Sequence, residues 1–216
     1  MITNKKLQQL RREYIFKGID EDVMDHDPLI EFTLWFNEYL ELGVEEPNAF
    51  ALATVDKNSN PSLRFVLLKE LDQKGFIFFT NYNSKKAIDI ESNPNVAATF
   101  FWQQVERQIR VEGKAEKVDP KISDDYFMTR PKQSQIGAIT SKQSKKLTSR
   151  KKLVDLYKFN TEKFINSKIN RPVDWGGYRI IPNRIEFWQG REHRLHDRVV
   201  YKKAANNSWK KKRLFP

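Results

Sequence analysis

The N-terminal part of the chain carries apolar side chains at helical spacing. In residues 5–16 they recur every three or four positions, which predicts an amphipathic helix. Asp27 and Pro28 then supply a helix cap and a first helical position, so a second helix is expected from there to about Leu42. The side chains predicted to face its core are Leu29, Phe32, Phe36 and Tyr39.

From residue 49 onwards the pattern changes to short apolar or alternating runs, which are typical of strands. Turn sequences rich in Asp, Asn and Gly separate the first runs, at residues 56–61 and 72–75. We predict strands at residues 49–55, 62–68, 76–80, 95–101, 105–116, 177–181, 184–188, 198–201 and 208–213.

Further helices are predicted between these strands. Ser84 can cap a short helix that ends near Ser92, and residues 119–120 open another helix, which Pro131 interrupts. Residues 149–166 form a third, within a polar Lys- and Ser-rich segment (residues 140–172) that we expect to be mobile. Antiparallel strands at short spacing with few helices predict a mainly β, α+β fold, an antiparallel β-barrel with surrounding helices.

Composition excludes several kinds of site. The chain has 216 residues, no Cys and three His, so we expect neither disulfides nor a cysteine nucleophile nor a metal centre. The N-terminus shows no apolar leader and no run approaches membrane-spanning length, so the cytoplasm is the predicted compartment.

The formal net charge of +11 favours an anionic partner, either a polyanion or a phosphorylated small molecule. No glycine-rich phosphate loop is present, so any phosphate must be bound by side chains. A nucleic-acid-binding module, suggested by the basic run at 210–213, would expose its aromatic residues among basic ones. Phe76, Phe78, Phe79 and Phe100 lie instead in apolar strands, which argues against it.

A stretch near the C-terminus, residues 185–198, concentrates aromatic, cationic and imidazole side chains. If this segment is extended, Arg194, His196 and Arg198 share one strand face. Three such groups repel one another, so they point to an anionic or electron-rich ligand. The alternative is a solvated basic edge strand.

The string Trp188-Gln-Gly-Arg-Glu-His-Arg-Leu-His-Asp-Arg198 closely resembles the signature of the pyridoxamine/pyridoxine 5′-phosphate oxidase family. Further blocks fit the same family in order and spacing, at residues 11–14, 64–69, 79–81, 84–87, 106–108, 130–137 and 141–144. The resemblance implies an FMN-binding split β-barrel that works as a homodimer, with FMN at the subunit interface. It also implies a single domain over residues 26–216 after a mobile N-terminal segment, residues 1–25.

The activity implied by the resemblance is oxidation of pyridoxamine 5′-phosphate and pyridoxine 5′-phosphate to pyridoxal 5′-phosphate. A hydride would pass from substrate C4′ to flavin N5, and O₂ would be reduced to H₂O₂. The FMN-binding residues implied are Arg64, Phe65, Val66, Leu67, Leu68, Lys69, Phe79, Thr80, Ser84, Lys85, Lys86, Gln108, Gln143, Ser144, Trp188 and Arg198. The substrate-binding residues implied are Arg11, Tyr14, Lys69, Tyr126, Arg130, Ser134, Arg194 and His196, the last two also catalytic.

The residues themselves support parts of this assignment. A buried cation inside an apolar strand must meet an anion or reach solvent, but alternation places Arg64 and Lys69 on opposite faces. A bulge or a ligand wrapped around the strand would reconcile them. Tyr126 and Arg130 are four residues apart and so would share a helix face, as a phosphate clamp or as a plain surface pair. The runner-up function is a split-barrel flavoprotein reductase, which would keep Arg64 and Lys86 but not the signature residues.

Overall fold

The computed structural model describes residues 4–10, 13–16 and 18–216. Within these residues it has six α-helices and nine strands. The helices are α1 (Asn4–Gln9), α2 (Pro28–Leu40), α3 (Lys85–Ser92), α4 (Pro120–Thr129), α5 (Lys132–Thr140) and α6 (Arg150–Lys163). The strands are β1 (Ala49–Val55), β2 (Pro61–Leu67), β3 (Glu70–Asp72), β4 (Gly75–Asn81), β5 (Asn95–Trp102), β6 (Arg107–Lys117), β7 (Trp175–Gln189), β8 (Asp197–Lys203) and β9 (Trp209–Leu214).

The strands form one sheet in the order β2-β1-β5-β6-β7-β4-β3, with β8 added to β7 and β9 to β8. Its hairpins are antiparallel, and β1 pairs with β2 in a register that places Leu52 opposite Arg64. Strand β7 pairs with β4 through its first half and with β8 through its second half. The predicted mainly β, antiparallel α+β class is therefore confirmed.

The chain divides into two compact units. The first, called here the terminal unit, comprises the described residues of Met1–Pro47, Thr99–Val111 and Asn183–Pro216. The second, the central unit, comprises Asn48–Ala98 and Glu112–Pro182. In the described part of the chain, no helix has both the length and the apolar character needed to cross a membrane.

Helix α2 supplies much of the core of the terminal unit. Asp27 caps it by accepting a hydrogen bond of 2.8 Å from the backbone N–H of Leu29, as predicted. Phe32 lies 4.9 Å from Phe100 between ring centres, and Tyr39 stacks at 5.0 Å on Trp102. Burying an aromatic side chain of this size stabilises the fold by roughly 1.5–3 kcal/mol. The sequence had not placed Trp35 in the core, but it is buried as well.

The core of the central unit is built from strand aromatics. Phe78 contacts Phe50 at 6.1 Å and stacks on Tyr178 at 5.9 Å. Gly75, at the start of β4, has φ +148°, and a Cβ there would lie 2.0 Å from the carbonyl oxygen of Ile180. Only glycine tolerates both conditions, so this residue fixes the β3–β4 turn against β7.

Three elements differ from the sequence prediction. Helix α1 ends at Gln9, because its apolar residues Leu7 (48% exposed) and Leu10 (71% exposed, just beyond the helix) bury little surface. Pro182 does not divide the two predicted strands at 177–188, because pairing with β4 and β8 holds them as the single strand β7. The short strand β3 was not predicted. The mobility of residues 1–25 and the single domain over 26–216 stay predictions.

Candidate active site

A cavity of about 830 Å³ lies in the central unit, within the range of roughly 300–1,000 Å³ usual for small-molecule sites. It brings together residues that are scattered along the sequence, from β2, β4 and helices α3 to α5. Predicted site residues that line it are Arg64, Phe65, Val66, Leu67, Lys69, Phe79, Thr80, Lys85, Lys86, Tyr126, Arg130, Ser134, Gln143 and Ser144. Leu68 and Ser84, also predicted, are buried beside it rather than in its wall.

Arg64 is fixed at the cavity by neutral acceptors and by one carboxylate. Its guanidinium donates to the Leu52 carbonyl at 3.1 Å, to Thr54 Oγ1 at 2.8 Å and to Ser62 Oγ at 2.8 Å. The carboxylate of Asp89 lies 3.8 Å away. Burial lowers the pKa of Arg64, and the charge of Asp89 opposes that shift. The guanidinium is therefore preorganised as a cation in the cavity wall.

Lys86 is a buried cation without a carboxylate partner in the part of the chain that the structure describes. Only 7% of the residue is exposed, and its ammonium donates to the hydroxyls of Thr80 at 3.0 Å and Ser84 at 3.3 Å. No ion pair among the described residues includes it. Burial, together with the charge of Arg64, lowers the pKa of Lys86 to about 8. A cation placed in this way at a cavity wall favours an anionic ligand.

Ser84 occupies the cap position of α3 but makes no side-chain cap, so the predicted capping bond is wrong. Its hydroxyl serves Lys86 instead. The ammonium of Lys85 binds both carboxylate oxygens of Asp89, at 3.0 and 3.1 Å, and its backbone N–H donates to Ser144 Oγ at 3.2 Å. The start of α3 is thus connected to the predicted FMN-binding residues that follow α5.

Gln143 and Lys69 complete the predicted contacts in this cavity. Thr80 Oγ1 donates to Gln143 Oε1 at 3.2 Å. Strand β2 ends at Leu67, so the alternation that separated Lys69 from Arg64 does not extend to Lys69. Both cations therefore line one cavity, and neither a bulge nor a wrapped ligand is required.

An aromatic stack forms another part of the wall. The ring of Phe79 stacks on Tyr126 at 4.0 Å and on Trp175 at 5.5 Å. The guanidinium of Arg130 lies 4.7 Å from the centre of the Trp175 ring. Arg130 is outside α4, at its C-cap, so it does not share a helix face with Tyr126 as predicted. The two residues nevertheless line the same cavity.

Arg130 also carries an unused donor. Its Nη1 atom is buried and has no hydrogen-bond partner among the described residues. Burial lowers the pKa of this guanidinium, and the proximity of Tyr126 opposes that shift. Leaving a buried donor unpaired costs about 1–3 kcal/mol, more when the group is charged. A ligand acceptor such as a phosphate oxygen would satisfy it.

The C-terminal signature forms a second cluster, in the terminal unit. Trp188 and His196 lie 4.7 Å apart between ring centres, and Tyr14 meets both edge-on, at 5.8 and 5.2 Å. Gly190 allows this arrangement, since a Cβ there would lie 2.4 Å from a ring carbon of Tyr14. The predicted substrate residue Tyr14 is thus placed beside the predicted catalytic histidine.

The predicted extended strand through Arg194 is wrong. Residues Glu192–Arg194 form a 3-10 turn, and His193 and Arg194 have φ values of 54° and 62°. Arg194 therefore does not share a strand face with His196 and Arg198. His196 is instead held by the backbone N–H of Arg191, which donates to its Nδ1 at 3.1 Å. Burial and the charge of Arg194 lower the pKa of His196, so the neutral ring presents an Nε2–H donor.

Arg198 belongs to a cluster of arginines around one buried carboxylate. It binds Glu186 with two parallel contacts of 3.0 and 3.1 Å, and Arg184 and Arg110 lie 2.6 and 3.7 Å from the same carboxylate. Burial raises the pKa of Glu186, but these arginines together lower it below its ordinary value. Glu186 was not among the predicted site residues, although an acidic residue inside the apolar run Ile185–Trp188 was an available signal.

The structure does not bring all predicted residues together. Gln108 lies on the half-buried face of β6 with Arg110. It belongs to the terminal unit, as do the predicted residues Tyr14, Trp188, Arg194, His196 and Arg198, and none of these six lines the cavity. Arg11 lies outside the described residues.

Comparison with known families decides the assignment of the chain. Residues 36–164 match the family model described as pyridoxamine 5′-phosphate oxidase. The chain belongs to the pyridoxamine 5′-phosphate oxidase family. Residues 175–216 match a second model, described as the pyridoxine 5′-phosphate oxidase C-terminal dimerisation region, which supports a homodimer.

Relatives in this family align over almost the whole chain. Proteins named pyridoxine/pyridoxamine 5′-phosphate oxidase from Rubrobacter xylanophilus and Aliarcobacter butzleri are both 48% identical to it. The first alignment covers 98% of this chain and 97% of the relative, and the second covers 97% and 99%. The sequence resemblance is therefore confirmed over its full extent.

Solved structures agree on the fold. PhzG from Burkholderia lata, in complex with tetrahydrophenazine-1-carboxylic acid, superposes with a TM-score of 0.89 at 25% identity, covering 95% of this chain and all of that one. A pyridoxamine 5′-phosphate oxidase-related, FMN-binding protein from Nostoc punctiforme superposes with a TM-score of 0.70 at 14% identity, covering 86% and 97%. The split-barrel fold predicted for the family is confirmed.

Proposed function

We propose that the protein is an FMN-dependent oxidase that converts pyridoxamine 5′-phosphate and pyridoxine 5′-phosphate to pyridoxal 5′-phosphate. One observation carries the proposal. The cavity of the central unit has incompletely paired cations on two different elements, Lys86 on α3 and Arg130 after α4. The reaction requires two phosphates, one on the cofactor and one on the substrate, and each cation can bind one of them.

The residues around Lys86 fit the phosphate of FMN. Arg64 supplies a preorganised guanidinium and Lys86 supplies a desolvated ammonium. Ser144 supplies a hydroxyl, which lies against the start of α3. Charge-assisted hydrogen bonds of this kind are the strong ones at phosphate sites. When bound, FMN would supply the electron acceptor for a two-electron oxidation at substrate C4′, with O₂ as the final acceptor, reduced to H₂O₂. With pyridoxamine 5′-phosphate, water would supply the aldehyde oxygen and the nitrogen would leave as ammonia.

The residues around Arg130 fit the substrate phosphate. Arg130 offers the unpaired Nη1 donor, and Lys69 offers an exposed ammonium. Tyr126 and Ser134 offer hydroxyls in the same cavity wall. Phe79, Tyr126 and Trp175 stack on one another, which fixes the positions of their three rings in the cavity wall. Binding the phosphate here would fix the position of the pyridine ring before reaction.

The remaining site residues come, in this proposal, from a second copy of the chain. None of Gln108, Trp188, Arg194, His196 and Arg198 lines the cavity of the central unit. All but Gln108 lie within residues 175–216, which match the dimerisation region. In a homodimer with FMN at the subunit interface, the partner would add its signature cluster to the cavity.

Within that cluster His196 acts as a hydrogen-bond donor. Its Nδ1 is engaged by the Arg191 N–H, so the neutral ring can only donate through Nε2. Arg194 presents a guanidinium fork next to it and stabilises negative charge on the substrate. The ring of Tyr14 meets that of His196 edge-on, at 5.2 Å between ring centres. The role of Arg11 and the cytoplasmic location stay predictions.

The purified protein tests the proposal directly. It should be yellow, with a flavin spectrum that is bleached anaerobically by pyridoxine 5′-phosphate and restored by air with formation of H₂O₂. Unphosphorylated pyridoxine is the matched control and should bleach the flavin much more slowly. A bound flavin that pyridoxine 5′-phosphate does not reduce would favour the other split-barrel reductases, and a protein that binds no FMN would refute the proposal.

A further inference from the structure

A buried carboxylate stands behind the phosphate site. Asp89, on α3, is 2% exposed and does not line the cavity of 830 Å³. It nevertheless contacts two cations that do, since Lys85 binds both of its oxygens and Arg64 lies 3.8 Å away. A carboxylate buried close to an anion-binding site repels the anion. We therefore expect Asp89 to have a function that offsets this repulsion.

Thr54 connects Asp89 to Arg64. The hydroxyl of Thr54, a fully buried residue of β1, donates to Asp89 at 2.8 Å and accepts from Arg64 at 2.8 Å. A hydroxyl has one proton to donate. The guanidinium of Arg64 can only donate, so the oxygen of Thr54 accepts from it and the hydroxyl donates its one hydrogen bond to Asp89. The carboxylate therefore holds the hydroxyl in the orientation that leaves its oxygen facing Arg64.

An ordinary helical ion pair does not explain Asp89. The chain repeats the same pair, a lysine followed four residues later by an aspartate, at Lys121–Asp125 and Lys151–Asp155. In those pairs the aspartate side chains are 66% and 53% exposed, whereas that of Asp89 is 3% exposed. Only weak stabilisation comes from the exposed pairs.

The charge inventory of the site gives Asp89 a second role. Arg64 and Lys85 contact Asp89, and the charge of Arg64 acts on the neighbouring Lys86. These three cations and Asp89 together carry a net formal charge of +2. A phosphate monoester carries a charge of about −1.5 to −2 at pH 7. The cluster therefore matches one phosphate dianion.

We propose that Asp89 is a positioning residue of the phosphate site, which orients Arg64 through Thr54, holds Lys85, and sets the net charge that a phosphate monoester meets. This inference rests on the proposed function, since it takes the ligand phosphate to be that of FMN. Asp89 does not touch the ligand and acts through the two cations.

The test is a fluorescence titration of the full-length apoprotein with FMN and with riboflavin, which lacks the phosphate. In Asp89→Asn the affinity for FMN is expected to fall about tenfold, while the affinity for riboflavin stays the same. Asp155→Asn removes the same charge from an exposed helical pair and should change neither affinity. Unchanged or tighter FMN binding in Asp89→Asn, or an equal loss for both ligands, would overturn the proposal.

Thr54 provides a second test that leaves the charge in place. Thr54→Val removes the hydroxyl at nearly constant volume and is expected to weaken FMN but not riboflavin, whereas Thr54→Ser keeps the hydroxyl and should bind both normally. If Asp89→Asn does not fold, this pair decides the question, and equal FMN affinity in the two Thr54 variants would overturn the proposal. A wild-type protein that binds FMN no better than riboflavin would contradict the proposed function itself.

Discussion

Replacing Lys86 by methionine should stabilise the apoprotein while it weakens FMN binding. Lys86 is buried and has no carboxylate partner among the described residues, so the folded apoprotein must keep a desolvated cation at pH 7. Methionine has similar length and no charge. The variant therefore removes an unfavourable burial and, with the same change, a ligand for the phosphate.

The magnitude follows from the pKa of Lys86, which burial and the nearby Arg64 lower from 10.5 to about 8. A difference of this size corresponds to roughly 3 kcal/mol of destabilisation at pH 7, at 1.36 kcal/mol per pH unit. The hydrogen bonds to Thr80 and Ser84 are lost in the variant, at about 1 kcal/mol each. The net gain in apoprotein stability is then about 1 kcal/mol at pH 7.

The pH dependence has a definite sign. Between about pH 8 and pH 10.5 the unfolded chain still binds the proton that the folded protein has released. The unfolded state thus binds more protons in this window, and the stability of the wild type rises with pH. Below pH 8 both states are protonated and the full penalty remains. The advantage of Lys86→Met should therefore be largest at pH 7 and decline as the pH rises above 8.

Urea unfolding of both apoproteins at several pH values measures the difference in their free energies of unfolding. The contributions of titrating groups that the two proteins share cancel in this difference. FMN titration of the same samples should show a loss of at least about tenfold in the variant, since a charge-assisted bond is worth about 1.5–3 kcal/mol. A variant less stable than the wild type at pH 7, or a stability difference that does not change with pH, would refute the reasoning.

Three further predictions concern binding and turnover. Arg130→Ala removes the guanidinium whose buried Nη1 has no hydrogen-bond partner among the described residues. It should raise KM for pyridoxine 5′-phosphate about tenfold or more in steady-state assays, and an unchanged KM would place the substrate phosphate elsewhere. Arg194→Lys keeps the charge but loses the planar fork, so kcat/KM should fall at least about tenfold, or about 1.4 kcal/mol, while FMN stays bound. Loss of FMN instead would assign the C-terminal signature to the cofactor site. His196→Asn should lower kcat/KM while the pH profile keeps its shape, including its acid limb, where a base would titrate because burial and the charge of Arg194 lower the pKa of His196. Disappearance of the acid limb in the variant would identify His196 as a base.

Local pattern determined most of the elements of this protein. The Asp27–Pro28 start of α2, the strand β1 and the break between α4 and α5 at Pro131 were all predictable, because capping, alternation and proline act within a few residues. The motif blocks likewise indicated the cavity residues, since their order and spacing are properties of the sequence itself. Family membership was therefore available before any geometry.

Tertiary structure alone decided how the charged groups are paired. The sequence does not show that Lys86 lacks a carboxylate partner within residues 4–10, 13–16 and 18–216, that Asp89 reaches Arg64 through Thr54, or that Glu186 binds arginines from β6, β7 and β8. Pairing of this kind depends on which strands become neighbours in the sheet, over sequence separations that no local period records. Tertiary structure also corrected the predicted backbone conformation of Arg194. This residue has φ 62° and lies in a turn, which interrupts a segment that alternation had predicted to be extended. Backbone conformation there follows from the contacts around the turn, and the local residue pattern does not contain them.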